Sequence, residues 1–401
     1  MSGVDFLKKL LDGANVEWKV LGDVIKLEKG RQLNKELLSE NGAYPAYNGG
    51  IAHSGFTDTF NYTENKTIVS QGGASAGFVN FVSTKFYANA HCYVILPDPK
   101  LVDNRYVYHL LKLNQQHLTS KQHGAGIPAL RTSEILEIPI PIPCQENPKK
   151  SLEIQAEIVR ILDAFTELTT ELTTELTIRR KQYNYYRDKL LSFEDGEVEW
   201  KTLGDPSVGE FIRGGGLQKR DFTESGVGCI HYGQIYTYYG TSTEKTKTFV
   251  SNDFFKKARK AKPDDLIIAT TSENDEDVCK AVAWLGKEEI AVSSDACIYR
   301  HKLNAKFVSY FFQTDKFQKQ KRQYITGTKV RRVNADDLAK MRIPVPSPEE
   351  QARIVAILDK FDALTNSLTE GLPREIGLRQ KQYEYYRDLL LSFPKPEGEK
   401  V

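Results

Sequence analysis

The chain contains one long helical segment twice. KQYNYYRDKLLSF at 181–193 returns as KQYEYYRDLLLSF at 381–393, and eleven of the thirteen positions are identical. Upstream of each copy lies a second matched pair, IQAEIVRILDAF at 154–165 and EQARIVAILDKF at 350–361. An internal repeat restricts the possible folds more than a local pattern does, because each copy must form the same kind of unit. The sequence therefore predicts two structurally related halves.

The repeat extends to the segments that precede the helices. VEWKVLGD at 16–23 returns as VEWKTLGD at 198–205, and LNKELLSENG at 33–42 aligns with LQKRDFTESG at 217–226. The offset between copies grows from 182 residues at the tryptophan to 200 at the tyrosines. The repeated segments match, whereas the stretches between them differ in length. This indicates two related units whose sequences differ between the repeated segments. The first helix is followed by VEW at 198–200, whereas the second is not, and the other copy of VEW stands near the start of the chain at 16–18. We therefore expect a circular arrangement with neighbouring termini.

This organisation predicts an α+β fold. Two mixed α/β globular parts alternate with two long antiparallel, coiled-coil-like helices in a pseudo-two-fold circular repeat. Each globular part ends in a proline-rich stretch, IPIPIP at 138–143 and IPVPSP at 343–348, which predicts an extended connector into the long helix. The expected parts are a segment at 1–15 that completes the circular repeat, a globular part at 16–143, a central helix at 144–197, a second globular part at 198–348 and a C-terminal helix at 349–401.

Apolar residues in both long segments follow the i, i+3, i+4 spacing of an amphipathic helix. One such stripe in each half predicts an antiparallel pair that buries a shared seam. The alternative is two separate helices, each packed on its own globular part. The candidate seam and partner-contact residues are Ile158, Leu162, Phe165, Leu168, Leu172, Leu176, Tyr183, Tyr186, Arg187, Ile354, Leu358, Phe361, Leu364, Leu368, Tyr383, Tyr386 and Arg387.

Within the central helix, TELTTELTTEL at 166–176 repeats every four residues. Each added unit would rotate the apolar stripe by about 40° and lengthen the rod by about 6 Å, so the run would serve as an adjustable spacer. The second copy places Gly371, Pro373 and Gly377 in the corresponding stretch. Because proline inside a helix costs about 3 kcal/mol, we expect a bend or break near Pro373.

Recognisable catalytic motifs are missing from the sequence. The five cysteines form no CxxC pair, and no two histidines have the i, i+4 spacing of helical metal ligands. GGASAGF at 72–78 is followed by a strand-like segment instead of a helix, so it is interpreted as a turn between strands and not as a phosphate loop. The acidic run at 273–277 lacks the acid-x-lysine element of metal nucleases, since Val278 precedes Lys280 by two, and is interpreted as a solvated turn.

Bulk composition is that of an ordinary globular protein. Net charge is +2, 40% of the residues are hydrophobic and 27% are charged. Neither a signal peptide nor an apolar run of about 18 residues is visible, and the scattered cysteines suit a reducing compartment. We therefore expect a cytoplasmic protein that is not membrane-bound, with no cofactor of its own.

Basic residues are concentrated locally in the second globular part. Seven lie between Lys316 and Arg332 with Phe317 and Tyr324 among them, a composition that suits contact with a phosphate backbone. A solvated helix face is the alternative. Turn segments with Gln, Lys, Arg, Asn and Tyr supply residue types that read base edges. The candidate DNA-binding residues are Tyr47, Asn48, Gln71, Ser75, Lys121, His123, Arg131, Lys219, Arg220, Tyr232, Gln234, Lys321, Arg322, Lys329, Arg331 and Arg332.

Duplicated IVxILDxF…KQYxYYRDxLLSF helices, two unlike globular parts and the TTEL run together resemble the DNA-specificity subunit of type I restriction–modification systems. The resemblance implies that the globular parts are target-recognition domains, each reading one half of a split, asymmetric site in double-stranded DNA. It also implies that the helices set the gap between half-sites and dock two adenine-methylating subunits, followed by two restriction subunits. S-adenosylmethionine, ATP and Mg²⁺ would then bind those partners. The near-identical helix ends, including Tyr185 and Tyr385, would present two similar docking surfaces.

Three other interpretations stay open at the level of sequence. A specificity subunit of a related system, with methylation and cleavage fused in one partner, would carry the same features. A self-sufficient DNA methyltransferase or nuclease would conflict with the missing motifs. A structural coiled-coil adaptor would not bind DNA at all.

Overall fold

The computed structural model describes residues 7, 9–124, 126, 128–194, 196–367 and 369–393. It divides into two compact units. Unit 1 comprises Met1–Glu171 and Ile376–Val401, and unit 2 comprises Leu172–Glu375. Both divisions fall within long helical segments, so each unit contains one globular part, the first half of one helical segment and the last half of the other.

Unit 1 is built on a four-stranded antiparallel sheet in the order β2-β8-β5-β6. A three-stranded sheet, β4-β3-β7, packs beside it, and β1 pairs with β9. The strands are β1 Val16–Val20, β2 Ile25–Lys29, β3 Tyr44–Tyr47, β4 Gly55–Thr57, β5 Lys66–Ser70, β6 Val79–Val82, β7 Tyr87–Ala88, β8 Cys92–Pro97 and β9 Pro139–Pro143. The helices of this globular part are α1 Asn104–Leu113, α2 Gln115–Ser120 and α3 Ser133–Leu136.

The long central helix is α4, Pro148–Leu190. Unit 2 then contains two five-stranded sheets, β11-β21-β17-β19-β14 and β12-β15-β13-β20-β16, and the pairs β10-β23 and β18-β22. Its strands are β10 Glu199–Thr202, β11 Gly209–Arg213, β12 Phe222–Thr223, β13 Val227–Ile230, β14 Ser242–Thr243, β15 Thr248–Val250, β16 Lys260–Ala261, β17 Leu266–Ala269, β18 Thr271–Ser272, β19 Ala281–Trp284, β20 Ile290–Val292, β21 Ala296–His301, β22 Arg331–Arg332 and β23 Arg342–Val345. Its helices are α5 Tyr232–Thr237, α6 Asn252–Lys257, α7 Ala305–Phe311, α8 Asp315–Arg322, α9 Ala335–Lys340 and α10 Pro348–Asn366, and α11, Gly371–Leu391, closes the chain.

Equivalent hydrogen bonds show that the two units are copies of one fold. The N–H of Gly30 donates to the carbonyl of Cys92 at 2.8 Å, and the N–H of Gly214 donates to the carbonyl of Ala296 at 3.0 Å. Strand β3 runs parallel to β7 as β13 runs parallel to β20. Glycine is required at both positions, because a Cβ on Gly30 would collide with the carbonyl of Asn89 and a Cβ on Gly214 with that of Ser293. These carbonyls lie in the turns before β8 and β21.

Helices α1 and α7 occupy the same place over the main sheet of each unit. The side chain of Asp103 caps α1 by accepting from two backbone N–H groups, and Asn304 caps α7 in the same way with one. The inner face of α1 buries Tyr106, Leu110 and Leu111. Burial of each such side chain contributes roughly 1.5–3 kcal/mol, so this helix holds the globular part together.

The proline-rich stretches form the extended strands β9 and β23, in agreement with the extended connectors that the sequence predicted, and each strand has a pairing partner that the sequence did not specify. Strand β9 pairs with β1, with Trp18 opposite Pro141, and β23 pairs with β10, with Trp200 opposite Pro344. A two-stranded ladder tolerates alternate prolines, because the missing N–H groups fall on its open side. The intervening Ile140 and Ile142 enter the core of unit 1.

The C-terminal helical segment is interrupted, as expected from its glycine and proline content. Helix α10 ends at Asn366 and α11 begins at Gly371, so the C-terminal helical segment consists of two helices, with the break that the sequence predicted near Pro373. Pro373 lies in the first turn of α11, where a missing N–H costs no helical hydrogen bond. The helix therefore stops before the proline and restarts around it.

Aromatic stacking joins the two helical segments within each unit. In unit 1 the rings of Phe165 and Tyr386 lie 5.1 Å apart at 14°. In unit 2 their repeat equivalents Phe361 and Tyr186 lie 5.6 Å apart at 24°. Ile158, Leu162, Ile354 and Leu358 are fully buried. These four also belong to the cores of their own globular parts, so the helices pack on the globular parts as well as on each other.

Other candidate seam residues are distributed around these contacts. Tyr183 and Arg187 are buried, and Tyr186 and Tyr386 are about two-fifths exposed. A continuous coiled-coil seam through the repeat stays a prediction, and Leu368 lies outside the described residues. The half-buried members are Phe165, Leu168, Leu172, Leu176, Phe361, Leu364, Tyr383 and Arg387.

Candidate nucleic-acid interface

Three loops of unit 1 meet at one edge of its sheets. The loop between β5 and β6 is the turn that the sequence predicted around GGASAGF. It binds the segment after α2 through two backbone hydrogen bonds of 2.8 Å, from Gly73 to Pro128 and from Leu130 to Gln71. The turn after β3 is also in contact, since a Cβ on Gly49 would lie 2.8 Å from the carbonyl oxygen of Gly72. The candidate residues of unit 1 lie on these three loops, except Tyr47, which is the last residue of β3.

Within this loop cluster the candidate residues differ in accessibility. Asn48, Lys121, His123 and Arg131 are exposed, whereas Gln71 and Ser75 are half-buried. The imidazole of His123 lies 3.3 Å from the Glu134 carboxylate. The surface therefore offers amide, hydroxyl, imidazole and guanidinium groups on a rigid backbone frame.

Tyr47 supports the cluster from below. Its ring packs edge-on against Phe86 with centroids 5.9 Å apart. Its carbonyl accepts from the N–H of Asn89 at 2.9 Å and from the Cys92 thiol at 3.2 Å. Burial raises the pKa of its hydroxyl. The backbone of Tyr47 thus fixes where Asn48 and the glycine pair project.

In unit 2 three of the candidate residues, Lys219, Tyr232 and Gln234, line a cleft of about 620 Å³. Its floor and walls come from the short helix α5, the segment around β12 and the acidic loop after β18. Most of the lining residues carry polar side chains, and Phe222 and Val330 are apolar. The lining residues are Lys219, Phe222, His231, Tyr232, Gly233, Gln234, Tyr236, Thr237, Thr271, Ser272, Glu273, Asn274, Asp277 and Val330.

His231 is a cleft residue that the sequence reasoning missed. Its Nδ1 accepts from the N–H of Gly233 at 3.2 Å, which caps α5. Burial, with a further effect from Lys219, lowers the pKa of the imidazole. A neutral ring that accepts at Nδ1 carries its proton on Nε2, so His231 presents a hydrogen-bond donor. In the sequence, the one indication of this role is that His231 precedes Gln234 by three residues, which is the spacing of a helix capping box.

Gln234 is held inside the unit by its own hydrogen bonds. Its Oε1 accepts from the backbone N–H of His231 at 3.0 Å, and its Nε2 donates to the hydroxyl of Thr248 at 3.0 Å. The amide is therefore engaged at both ends. These bonds hold Gln234 at the start of α5, and its contact with a base stays a prediction.

Lys321 is not available for DNA, which corrects the prediction. It is 1% exposed, and its Nζ donates to the carbonyl oxygens of Glu276 at 2.9 Å and Val278 at 2.8 Å. Burial lowers the pKa of this amine. The physical reason is helical phase, because Lys321 lies on the inner face of α8 whereas Arg322 beside it points to solvent. Lys321 instead anchors the acidic loop.

The acidic loop at 273–277 is exposed, as the sequence predicted. The guanidinium of Arg331 pairs with the carboxylate of Asp275 at 2.8 Å. Strand β22 lies antiparallel to β18, with Arg332 opposite Thr271, so the basic segment borders the cleft. The other basic candidates of unit 2 are exposed: Lys219, Arg220, Arg322, Lys329 and Arg332.

The two surfaces have the chemistry of recognition. In the part of the chain that the structure describes, no three His, Cys, Asp or Glu side chains are grouped as metal ligands. Donor and acceptor side chains beside exposed cations match the division of labour in DNA readers, where base edges are read by hydrogen bonds and phosphates by charge. Two copies of one fold with different polar surfaces define a class of two-domain recognition protein.

Comparison with known proteins identifies the family. The model of the type I restriction modification DNA specificity domain matches residues 15–179 and 197–378. The specificity subunit of the type I restriction enzyme EcoR124I/EcoR124II from Escherichia coli is 37% identical over 99% of both chains. A putative type I restriction enzyme specificity subunit from Haemophilus influenzae is 34% identical, covering 97% of this chain and 98% of that protein. The fold is shared with the crystal structure of a type I S subunit from M. genitalium, with a TM-score of 0.59, 20% identity and coverage of 96% and 98%.

The chain therefore belongs to the family of type I restriction–modification DNA specificity subunits, and the resemblance found in the sequence is confirmed. Supplying DNA specificity is its function. No helix in the described ranges is long and apolar enough to cross a membrane.

Proposed function

We propose that unit 1 and unit 2 each read one half of a split, asymmetric site in double-stranded DNA. The observation that carries this proposal is that the two units present different side chains on the same backbone turn. Equivalent backbone hydrogen bonds place the Asn48 turn of unit 1 where unit 2 has His231, since Asn89 donates to Tyr47 as Ser293 donates to Ile230. Different donors on the same turn would select different bases.

The two surfaces should also differ in how much charge attraction contributes to their affinity for DNA. Unit 2 borders its cleft with Lys219, Lys329 and Arg332, all exposed, so charge attraction to phosphates should act mainly there. Unit 1 relies more on neutral polar groups, with Asn48, Gln71 and Ser75 on its loops. The frame is common to both units, and the side chains specify the target.

The helix ends suit the docking of two copies of one partner. Ile178 and Tyr185 on α4 are 47% and 60% exposed. Leu378 and Tyr385, each 200 positions later on α11, are 45% and 61% exposed. Residues seven apart lie on the same helix face, so each end presents one matched apolar and aromatic patch. Two patches of one chemistry would bind two methylating subunits in a pseudo-two-fold arrangement.

We further propose that this chain is non-catalytic and that its partners supply the chemistry. Methylating subunits would bind S-adenosylmethionine and modify adenine, and restriction subunits would use ATP and Mg²⁺. The helical segments would hold the reading units in register, with the TTEL run setting the gap between half-sites. Each added repeat would change that gap through about 6 Å of rise and about 40° of rotation.

Methylome sequencing of cells that express this chain with its partner subunits tests the proposal. The expected result is a split motif with one modified adenine in each half. A single uninterrupted motif would contradict two-unit reading. Methyl transfer to DNA by the purified chain without any partner would contradict the non-catalytic role.

A further inference from the structure

One exposed aliphatic side chain lies on the loop cluster of unit 1. Ile51 follows Asn48 and the glycine pair on the turn after β3, and it is 62% exposed. An isoleucine that stays in water forgoes most of the stabilisation that its burial would give. Single exposed apolar residues are common on protein surfaces, so exposure by itself assigns no role. What distinguishes Ile51 is the way in which its backbone is held.

Side chains from two strands of the main sheet hold the backbone around Ile51. On β5 the hydroxyl of Ser70 donates to the carbonyl of Gly50 at 3.1 Å. On β6 the side-chain amide of Asn80 donates to the carbonyl of Ile51 itself at 2.9 Å. The backbone of Ile51 is therefore tied to the sheet, although its side chain is exposed.

The two ends of the turn are held as well. The N–H of Gly49 donates to the thiol sulfur of Cys92 at 3.3 Å, and the φ of Gly49, +78°, is one that glycine adopts without strain. The N–H of Ser54 donates to the carbonyl of Ala46 at 2.7 Å, which closes the turn back on β3. Ile51 thus stands on a hydrogen-bonded backbone that is ordered in advance, so little conformational entropy would be lost on binding.

Unit 2 shows that an isoleucine in this part of the repeat can be buried. There the chain passes from β13 through His231 into α5, and Ile235 of that helix is fully buried in the core. In unit 1 the segment 48–54 is a turn between β3 and β4. The exposed isoleucine is therefore a feature of unit 1, and the shared fold does not require it.

We propose that Ile51 contacts the 5-methyl group of a thymine in the major groove, within the half-site that unit 1 reads. This inference rests on the proposed function. An A·T pair presents there adenine N6 and N7, which an amide can bind, and the thymine methyl, which an aliphatic side chain can cover. Asn48, which is also exposed, and Ile51 place both kinds of side chain on one turn. Exposed Lys121 and Arg131 on the neighbouring loops suit the phosphates.

The test uses the full chain in complex with its methylating subunits. Methylome sequencing first supplies the motif, in which each proposed half carries an adenine and the thymine that pairs with it. Each thymine of the motif is then replaced in turn by deoxyuridine, which pairs as thymine does and lacks only the 5-methyl group. Dissociation constants of these duplexes are measured at one fixed salt concentration.

Three proteins are compared, namely wild type, Ile51→Ala and the control Val20→Ala. Val20 is 40% exposed on β1, and the β1–β9 ladder carries none of the three loops. Thermal unfolding of each purified chain checks that the fold survives. The wild-type measurement tests the methyl contact without any variant, because the change is made in the DNA.

Wild type should lose about fourfold in affinity at one thymine, which is the effect of one buried methyl group. That thymine should lie in the half that Asn48→Ala relaxes. Ile51→Ala should reduce the loss to less than about 1.5-fold, and Val20→Ala should keep it at about fourfold.

The methyl contact is overturned if no uracil substitution weakens binding by wild type more than binding by Ile51→Ala, or if the sensitive thymine lies in the other half. A loss by Ile51→Ala that is equal on all duplexes would indicate a wedge between base pairs and would overturn it too. A motif that is not split contradicts the proposed function instead, and the uracil comparison still tests the methyl contact.

Discussion

The Nε2 atom of His109, whose side chain is fully buried, lies 2.9 Å from the carboxylate of Asp163, whose side chain is 36% exposed. The hydroxyl of Tyr383 lies 3.0 Å from the other ring nitrogen. In unit 2 the corresponding carboxylate, Asp359, accepts from the hydroxyl of Tyr310 at 2.7 Å. Both units therefore have the carboxylate, whereas the residue of the globular part that contacts it is a histidine in unit 1 and a tyrosine in unit 2.

Replacing Asp163 by alanine should destabilise unit 1. Burial lowers the pKa of His109, so the imidazole is neutral and donates from Nε2. Loss of the carboxylate leaves that donor buried and unpaired, at a cost of about 1–3 kcal/mol. Chemical denaturation of Asp163→Ala measures this. Glu167→Ala, exposed one turn along the same helix, is the control, and equal stability of the two variants would contradict the role of the pair.

His301 should make unit 2 less stable in mild acid. Burial lowers its pKa to about 4 from the ordinary value of 6.5, and its Nε2 has no hydrogen-bond partner among the described residues. A depressed folded pKa stabilises the fold above pH 6.5, and this contribution is lost as the pH falls from 6.5 towards 4. Between pH 7 and pH 5 the loss should be about 2 kcal/mol.

Substitution His301→Leu should flatten this dependence, because it removes the titrating group. Denaturation of the full chain at several pH values measures the slope. His117→Gln, an exposed histidine in unit 1, should leave the slope unchanged. An identical slope for wild type and His301→Leu would show that another group is responsible.

Gly214→Ala should disrupt unit 2 through its backbone. The new methyl group would collide with the carbonyl of Ser293 and lie 2.8 Å from that of Ala296. Neither carbonyl can move without breaking the turn before β21, so we expect a loss of about 3 kcal/mol. Gly216→Ala, two residues away with nothing within 4 Å of its Cβ, is the matched control. Thermal unfolding should separate the two, and a shared Tm would contradict the close approach.

The matched patches predict separable partner sites. Ile178→Asp with Tyr185→Ala should weaken binding of one methylating subunit, and Leu378→Asp with Tyr385→Ala should weaken binding of the other. Each pair is exposed, so the fold should survive. Native mass spectrometry should then show a ratio of 1:1 in place of 1:2 for either variant. Thr177→Ala, at an exposed position about 100° around α4 from Ile178, is the control. Full binding of two partners by both double variants would remove the docking assignment.

Much of the architecture could be predicted from the repeat, because matched sequence edges require matched structure. Strand Val79–Val82 follows GGASAGF, where the sequence predicted a strand-like segment. The interruption before Pro373 was also expected. The pairing of IPIPIP was not, because the alternation of proline and isoleucine favours an extended segment without specifying its partner.

The candidate site was predicted less well, since charge and burial are set by helix phase and loop packing. Lys321 and Arg322 are adjacent and equally basic in the sequence, yet one is buried against carbonyl oxygens and the other is exposed. His231 gave no compositional signal because its role depends on the cap of α5. Loops from distant parts of the chain meet only after folding, as Gln71 meets Leu130 in unit 1.

The central claim is that each unit reads its own half of the target. Methylome sequencing with Lys219→Ala and Tyr232→Ala in the cleft of unit 2 tests it most directly. Asn48→Ala with Arg131→Ala in unit 1 is the reciprocal variant. Each variant should relax or lose one half of the motif and leave the other half and the gap unchanged. Relaxation of both halves by either variant, or of the same half by both, would contradict the claim.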